Sequence, residues 1–430
     1  MKIFALIIFI VMYVLMTVFS AKRVWIVLAT AAVFLIAGVT PLPLVPSAID
    51  WNVLMMMTGT MLLVFYFIES KMPNRIADIL LDKSPNVMWV VIFMSVFAGL
   101  ISAFIDNVAT VLMVAPVGLA VCKKLKISPV PMIISIAVSS NLQGAATLVG
   151  DTTSIMLGAY ADLDFIDFFW MKGRPGMFFA VELGAAATIP IMMILFRKDK
   201  DPVESSEKTV VRDYIPTVLL IGMVAALIMA SFVPEKPSVT NGLICLCAAV
   251  LAIILDRLVA RRNCAKDTPQ EAKTLDALRS IDIETLAMLA GLFVVIAGIE
   301  HVGLIDDIAD AIASAGGNNM FLLYTIIVWA SVAASAFIDN IPYVATMLPV
   351  ITGIAARLGV SPYLLYFGLL SGATLGGNIT PFGASANIAA TGILKKEGYP
   401  VSFKDFARIG IPFTLTAVVV GYLFVWFVWH

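Results

Sequence analysis

Histidine and cysteine are scarce in this chain, which limits the chemistry that it can perform. Only two histidines, His301 and His430, occur among the 430 residues, so a histidine proton relay is excluded. The four cysteines have no histidine beside them, and Cys245 and Cys247 lie in an apolar stretch, where a thiol usually behaves as a small hydrophobic group. This spacing predicts no cysteine metal site. Any proton chemistry therefore depends on carboxylates.

Charged residues are also few, at 13% of the chain, and the formal net charge is -1. The sequence thus offers no basic surface, and we expect no nucleic acid partner. By contrast, 61% of the residues are hydrophobic and the mean hydropathy is +0.99, far above that of a soluble globular domain. These values predict an all-α polytopic membrane protein whose surroundings are the lipid bilayer.

Apolar stretches of two lengths divide the chain. Eight have the length of a single membrane crossing, namely 3–20, 24–42, 51–69, 176–196, 214–233, 239–256, 283–299 and 409–428. Four others are too long for one crossing and are interrupted by polar or glycine-rich residues, namely 87–122, 130–160, 319–356 and 361–394. The long stretches form two matched sets, each with one Asp-Asn interruption and one glycine-rich interruption.

The distribution of lysine and arginine decides how the long stretches are arranged, because these residues favour the cytoplasmic side. If 87–122 and 319–356 are re-entrant helical hairpins, and 130–160 and 361–394 are single broken helices, every basic cluster falls on one face. The prediction is about ten transmembrane crossings, two re-entrant hairpins and two broken helices, in the cytoplasmic membrane. Both termini are then expected outside.

One hexapeptide occurs twice, as Ser102-Ala103-Phe104-Ile105-Asp106-Asn107 and as Ser335-Ala336-Phe337-Ile338-Asp339-Asn340. Sliding 102–155 by 233 positions onto 335–388 needs no gap, and about a third of the pairs are identical. With the predicted orientation, this indicates an inverted-topology repeat of the kind found in secondary transporters. We expect a first repeat at 1–196, a cytoplasmic linker at 197–213 and a second repeat at 214–430.

A carboxylate in each hairpin tip is the first candidate for function. An ionisable residue near the middle of a membrane costs about 2.5–3.5 kcal/mol on insertion scales, so its default interpretation is functional. Asp106 and Asp339 are expected to bind the coupling ion, H⁺ or Na⁺, with Asn107 and Asn340 as neutral oxygen ligands. The alternative is that each aspartate only caps the helix that follows.

The glycine-rich breaks supply the other candidates. Glycines there allow close approach and positive φ, and an unwound helix exposes carbonyls to a cation and a helix N-terminus to an anion. The expected substrate or ion ligands are Asn141, Thr147, Gly150, Asp151, Thr152 and Ser154 in the first break, and Asn378, Thr380, Gly383, Ser385 and Asn387 in the second. Asp151 stands opposite Ala384 in the repeat alignment and adds a third carboxylate. The alternative for the glycines is tight helix packing alone.

At these tips and breaks the sequence resembles the ArsB/NhaD branch of the ion transporter superfamily, and within it the group of the melanosomal P protein and its prokaryotic relatives. The likeness covers essentially the whole chain and rests on four motifs: 102–112 with Pro116, 146–151, 335–349 and 376–387. More distantly, the chain is similar to dicarboxylate and citrate transporters, whose tips carry Ser-Asn-Thr. That motif is replaced here by Asp106-Asn107-Val108 and Asp339-Asn340-Ile341. The resemblance implies a homodimer with a static scaffold domain and an elevator movement of the domain that bears the hairpins.

The sequence therefore predicts a secondary active transporter for a small inorganic ion or small anion, coupled to H⁺ or Na⁺, with no other cofactor. Arsenite efflux and Na⁺/H⁺ antiport are the specific alternatives within the resemblance. Two alternatives from other classes stay open. One is an intramembrane aspartyl protease, although 148–151 lacks the first glycine of the Gly-x-Gly-Asp signature. The other is an uncoupled ion channel. We expect no enzyme activity.

Overall fold

The computed structural model describes residues 1–19, 22–199, 201–203, 208–262, 270–317 and 319–430, and these residues are mostly helical. Cys264 and five residues of the predicted linker, 200 and 204–207, lie outside the described residues. The α-helices are α1 (Lys2–Val18), α2 (Arg23–Ile36), α3 (Val45–Ala48), α4 (Trp51–Glu69), α5 (Met72–Asp82), α6 (Val87–Ser102), α7 (Asn107–Leu125), α8 (Val130–Gly144), α9 (Thr152–Tyr160), α10 (Met177–Leu195), α11 (Ile215–Ala230), α12 (Thr240–Arg262), α13 (Gln270–Arg279), α14 (Ile283–His301), α15 (Leu304–Gly316), α16 (Met320–Ser335), α17 (Asn340–Leu358), α18 (Tyr363–Gly376), α19 (Ser385–Lys396) and α20 (Phe403–Trp429).

Short elements complete the fold. Within the described ranges, 3₁₀ helices occupy Leu42–Leu44, Phe165–Phe168 and Gly377–Ile379. Strands β1 (Trp170–Met171) and β2 (Arg174–Pro175) pair antiparallel. The all-α prediction is thus confirmed apart from this two-stranded pair.

Several helices are long and apolar enough to cross a membrane. In the described ranges there are seven such segments, and they are the ones that contain α4, α7, α10, α12, α14, α17 and α20. Six further apolar helices are shorter, namely α1, α2, α6, α8, α11 and α16. A polytopic helical membrane protein is therefore confirmed. The predicted number of crossings and the side on which each terminus lies remain predictions.

Each predicted hairpin consists of two helices joined by a short turn, α6 to α7 and α16 to α17. The second helix of each pair begins directly after the repeated aspartate. Asp106 Oδ1 accepts hydrogen bonds from the backbone N–H groups of Val108 and Ala109, at 3.0 and 3.1 Å. Asp339 Oδ1 accepts one from Ile341 N–H at 3.1 Å. Both aspartates are therefore helix caps, and capping uses one carboxylate oxygen of each.

Each predicted broken helix is interrupted at the expected place. α8 ends at Gly144 and α9 begins at Thr152, while α18 ends at Gly376 and α19 begins at Ser385. The expectation of positive φ at the glycines of the breaks is wrong, because none of them has it. Their role is close approach. A Cβ at Gly150 would lie 2.6 Å from Ser102 O, and a Cβ at Gly383 would lie 2.6 Å from Ser335 O.

The helices of the two halves pack in matching pairs. α4 packs against α12 and α14 packs against α2, while α10 packs against α20. The second helix of each hairpin packs against the broken helix of the other half, α7 on α19 and α17 on α9. This exchange brings both hairpin tips and both breaks to one place between the halves. The residue boundaries predicted for the repeats and the linker remain predictions.

Three amphipathic or polar helices were not predicted from the sequence. α5 and α15 follow corresponding crossings, and each packs against the second helix of the neighbouring hairpin, α7 and α17 respectively. α13 precedes α14. α5 and α15 are too short and too polar to count as membrane crossings, and they pack against the outer faces of the hairpins.

Candidate functional site

Asp151 lies where the two hairpin tips meet. Its Oδ1 accepts hydrogen bonds from the backbone N–H of Thr152 at 2.8 Å and from Asn107 Nδ2 at 3.2 Å. Its Oδ2 accepts from Thr153 Oγ1 at 2.7 Å and from Asn340 Nδ2 at 3.5 Å. The carboxylate is 3% exposed. One buried carboxylate therefore contacts asparagines from both tips, and it also caps α9.

A chain of amide groups connects the two breaks. Asn107 Nδ2 donates to Asn141 Oδ1 at 2.9 Å, and Asn141 Nδ2 lies 3.1 Å from Asn378 Oδ1. Asn141 also donates to the backbone carbonyl of Thr374 at 2.7 Å, and Asn378 donates to that of Val138 at 3.0 Å. These side chains are all buried. The two halves are thus joined by hydrogen bonds between buried amides, which fixes the position of Asn107 beside Asp151.

A cavity of about 270 Å³ adjoins the first tip. Three carboxylates line it, those of Asp106, Asp151 and Asp282, and no lysine, arginine or histidine of the described chain does so. Its other polar lining residues are Asn107, Thr152, Ser280, Thr285, Asn340 and Ser385. A cavity with three carboxylates and no basic side chain has the chemistry of a cation site.

The second tip lies in a different environment. Asp339 forms an ion pair with Arg23, the first residue of α2, and its Oδ2 also accepts a hydrogen bond from Ser385 Oγ at 3.2 Å. A separate cavity of about 310 Å³ lies beside it, lined by Arg23, Asp339 and mainly apolar residues. The two identical hexapeptides therefore present their carboxylates to unlike surroundings.

Six of the predicted ligands brace the breaks and do not line the cavity at the first tip. Thr147 Oγ1 donates to Ala103 O, and Thr380 Oγ1 donates to Ala336 O at 2.5 Å, so each hydroxyl joins a break to its hairpin tip. Ser154 Oγ donates to Gly144 O at 3.4 Å. The equivalent side chain in the second half makes the equivalent contact, from Asn387 Nδ2 to Gly377 O at 3.0 Å. With the close-packed glycines at 150 and 383, these residues hold the unwound backbone in shape.

Several residues of the site were not predicted from the sequence. Asp282 and Ser280 line the cavity from the beginning of α14, and Asp282 also caps that helix through Thr285 N–H at 3.0 Å. The signal was present, because Ile49-Asp50 and Ile281-Asp282 correspond in the repeat, but nothing local indicated that Asp282 reaches the tip. The sequence indicates Arg23 only as a member of a basic cluster at the membrane surface.

The geometry differs from that of an aspartyl protease, whose two carboxylates share a proton. In the described chain, Asp106, Asp151 and Asp339 bind backbone amides, asparagines, hydroxyls or arginine, and none accepts a hydrogen bond from another of the three. The arrangement instead gathers ligands from both halves around one cavity, which suits binding of an ion between them.

Comparison with known proteins agrees with this description. The model of the family described as "Citrate transporter" matches residues 4–269 and 267–430. An uncharacterized transporter of Mycobacterium tuberculosis is 30% identical over 99% of this chain and 98% of its own length. The P protein of Homo sapiens is 27% identical over 91% of this chain, which corresponds to 55% of the human protein. The resemblance to the P protein group is therefore confirmed.

Two solved transporter structures share the fold. The YdaH transporter of Alcanivorax borkumensis superposes with a TM-score of 0.59, at 12% identity, over 89% of this chain and 86% of its own. Neisseria gonorrhoeae MtrF, described as one of a class of antimetabolite efflux pumps, gives a TM-score of 0.56 at 14% identity, over 89% of this chain and 81% of its own. At these identities the likeness concerns the fold alone.

Proposed function

The chain belongs to the citrate transporter family and is a membrane transporter, and from this premise we propose that it is a secondary active ion transporter. It moves a small inorganic ion or a small anion, coupled to H⁺ or Na⁺, across the cytoplasmic membrane. The observation that carries the proposal is the contact of Asp151 with both Asn107 and Asn340. A single carboxylate held by both hairpin tips couples the occupancy of the site to the position of both hairpins.

The coupling ion binds at the first tip. Asp106 has one oxygen committed to the cap of α7, and its cavity also holds Asp151 and Asp282. Three carboxylates at close quarters in a membrane repel one another, and a bound cation or proton relieves that repulsion. Oxygen ligands of Asn107 and Thr152 complete the surroundings that Na⁺ prefers.

The charge of the cavity bears on the substrate. A citrate trianion would meet three carboxylates there and no basic side chain of the described chain. Electrostatic repulsion would oppose its binding unless cations accompany it. The same observation favours Na⁺/H⁺ antiport as a second candidate, because Na⁺ and H⁺ then compete for the same carboxylates.

Transport proceeds by an elevator movement within a homodimer, as the family resemblance implies. The moving body comprises the hairpins with α8, α9, α18 and α19, and the static body contains α2, α4, α12 and α14. Packing supports this division, since the members of each set pack mainly within it, as α7 on α19 and α4 on α12 do. The second tip contacts the first residue of α2, and the first tip shares a cavity with the residues just before α14. Both helix starts adjoin basic clusters predicted to be cytoplasmic, so with the predicted orientation the conformation faces inward.

Purified protein in liposomes tests the proposal. An imposed Na⁺ or pH gradient should drive uptake or release of the other ion or of a labelled substrate, with arsenite, citrate and chloride as the probe panel. Asp151→Asn, which keeps the size of the side chain, should abolish that flux. Flux that ignores both gradients would indicate a channel, and cleavage of a transmembrane peptide would indicate a protease. Either result would overturn the proposal.

A further inference from the structure

The two hairpin tips are identical in sequence, but in the described chain only the aspartate of the second tip is paired with a basic side chain. At the second tip, Asp339 Oδ2 accepts hydrogen bonds from the Arg23 guanidinium and from Ser385 Oγ, and Arg23 Nη2 donates to Ser385 Oγ at 3.1 Å. The side chains are 22% exposed for Arg23 and 7% for Asp339. The charge of Asp339 is thus neutralised by a residue of the same chain, in a largely shielded place.

The first tip has no such counter-charge. Asp106 Oδ1 caps α7 just as Asp339 Oδ1 caps α17. Thr152 stands in the repeat where Ser385 stands at the second tip, and it lines the cavity beside Asp106. In the part of the chain that the structure describes, no side chain donates a hydrogen bond to Asp106, and no basic residue lines its cavity. The place that a guanidinium fills at the second tip is open at the first.

Arg23 reaches the second tip from outside the hairpin. It begins α2, a helix that packs against α1 and α14, and it contacts the oxygen of Asp339 that the cap leaves free. A guanidinium keeps its charge at every physiological pH, so it cannot leave as a proton does. Because it is attached to the chain, it pairs with Asp339 without an encounter in solution, and a free cation has to compete with it.

We propose that, in the conformation described here, Arg23 acts as a tethered cation at the second tip, in the position that a free coupling cation takes at the first. Because α2 belongs to the static body, movement of the hairpins separates Arg23 from Asp339 and returns the guanidinium when the hairpins come back. The chain then has two repeat-related cation positions and fills one of them with its own side chain. Each transport cycle accordingly binds one coupling cation, at Asp106. This consequence for the cycle rests on the proposed function, whereas the exchange of arginine for a free cation can be tested without transport.

The test is the melting temperature of purified protein in rising NaCl, with choline chloride keeping the ionic strength constant. In Arg23→Gln the vacated carboxylate should take Na⁺ from solution, so the variant should gain about 3 °C or more of Na⁺-dependent stabilisation beyond that of the wild type. The double variant Arg23→Gln/Asp339→Asn has no carboxylate at this tip to bind Na⁺, so it should not show the additional Na⁺-dependent stabilisation. Arg357→Gln, which breaks an exposed pair with Asp310, is the matched control and should gain nothing.

Every outcome decides the inference. Folding of Arg23→Gln in Na⁺ but not in choline would support it strongly. A gain no larger than that of wild type would overturn it. So would a variant that folds in neither salt while the double variant folds, because the pair would then be structural only. If the wild type shows no gradient-driven flux while Arg23→Gln still shows the additional Na⁺-dependent rise in melting temperature, the proposed function alone would be overturned.

Discussion

Asn107 at the first hairpin tip donates a hydrogen bond across 3.2 Å to Asp151 in the neighbouring break. The position equivalent to Asp151 in the second half is Ala384, which begins α19 without a side-chain cap. The two halves therefore make equivalent backbone contacts at their breaks, but only the first half carries a carboxylate there.

Asp151→Asn should reduce gradient-driven flux by about 100-fold or more. The change removes the charged carboxylate to which Asn107 and Asn340 donate hydrogen bonds. Hydrogen bonds to a charged group contribute about 1.5–3 kcal/mol each. A loss near 3 kcal/mol corresponds to roughly 100-fold in rate. Initial rates in liposomes measure the effect. Asp50→Asn, at a helix cap that lines neither cavity beside the tips and where asparagine caps equally well, should retain flux. Equal rates for Asp151→Asn and wild type would contradict the central role of Asp151.

Asp106→Asn should abolish coupling while leaving stability nearly unchanged. Asparagine and aspartate are similar N-caps, so the helix α7 keeps its cap, whereas alanine loses about 1 kcal/mol. Asp106→Ala should therefore be both inactive and less stable. Melting temperature and coupled flux, measured on both variants, separate the cap from the ion site. An Asp106→Asn protein that still responds to the gradient would place the coupling ion elsewhere.

Asp339→Asn should be more destabilising than Asp106→Asn, although the two residues occupy identical hexapeptides. Of the two, within the described residues, only Asp339 is paired with an arginine. Removing one partner of a fully buried ion pair costs about 3–5 kcal/mol, and the cost is smaller here because the Arg23 side chain is 22% exposed. Thermal unfolding of the two variants side by side is the measurement. Adding Arg23→Gln to Asp339→Asn should recover part of the loss. Equal stability of the two single variants would mean that the pair contributes little.

Gly150→Ala should destabilise the first break and impair flux. The new Cβ would lie 2.6 Å from Gly144 O and from Ser102 O, so the backbone of the tip or of the break must move. Gly383→Ala should behave alike in the second half, for the same reason. Gly392→Ala is the control, since nothing lies within 4 Å of its Cβ position and alanine stabilises a helix interior by about 0.5–1 kcal/mol. A harmless Gly150→Ala would contradict the close packing of the tip.

The predicted orientation can be checked by cysteine labelling in intact cells. The four native cysteines are first replaced. Ser238→Cys then places a thiol in a loop predicted to lie outside, and Lys198→Cys places one in the predicted cytoplasmic linker. Both positions are exposed. A membrane-impermeant maleimide should label the first in intact cells and the second only after permeabilisation. The reverse pattern would invert the topology and place both termini in the cytoplasm.

The framework of the fold was predictable because it depends on local signals. Apolar length and the repeated hexapeptide predicted both hairpins and both breaks, and the helices end within a few residues of the expected places. Asp151 was predictable as well, since a carboxylate facing alanine in an otherwise matched repeat is visible in the alignment alone.

Long-range electrostatics were not predictable in this way. Arg23 and Asp339 are 316 positions apart, and a basic residue beside a crossing has the same appearance whether it anchors at the membrane surface or reaches into the protein. Thr147 and Thr380 were expected as ligands, yet they donate to carbonyls of the tips. A hydroxyl beside an unwound stretch can bind an ion or the backbone, and only the folded distances distinguish the two.

The single carboxylate at positions 151 and 384 also has an evolutionary consequence. Two identical half-length chains, assembled as a symmetric pair, would carry either two carboxylates at this place or none. One carboxylate that serves both tips is available only to halves that differ in sequence at this position. Divergence of the two halves is therefore a precondition of the present site, and a half-length chain that pairs with an identical copy could not reproduce it.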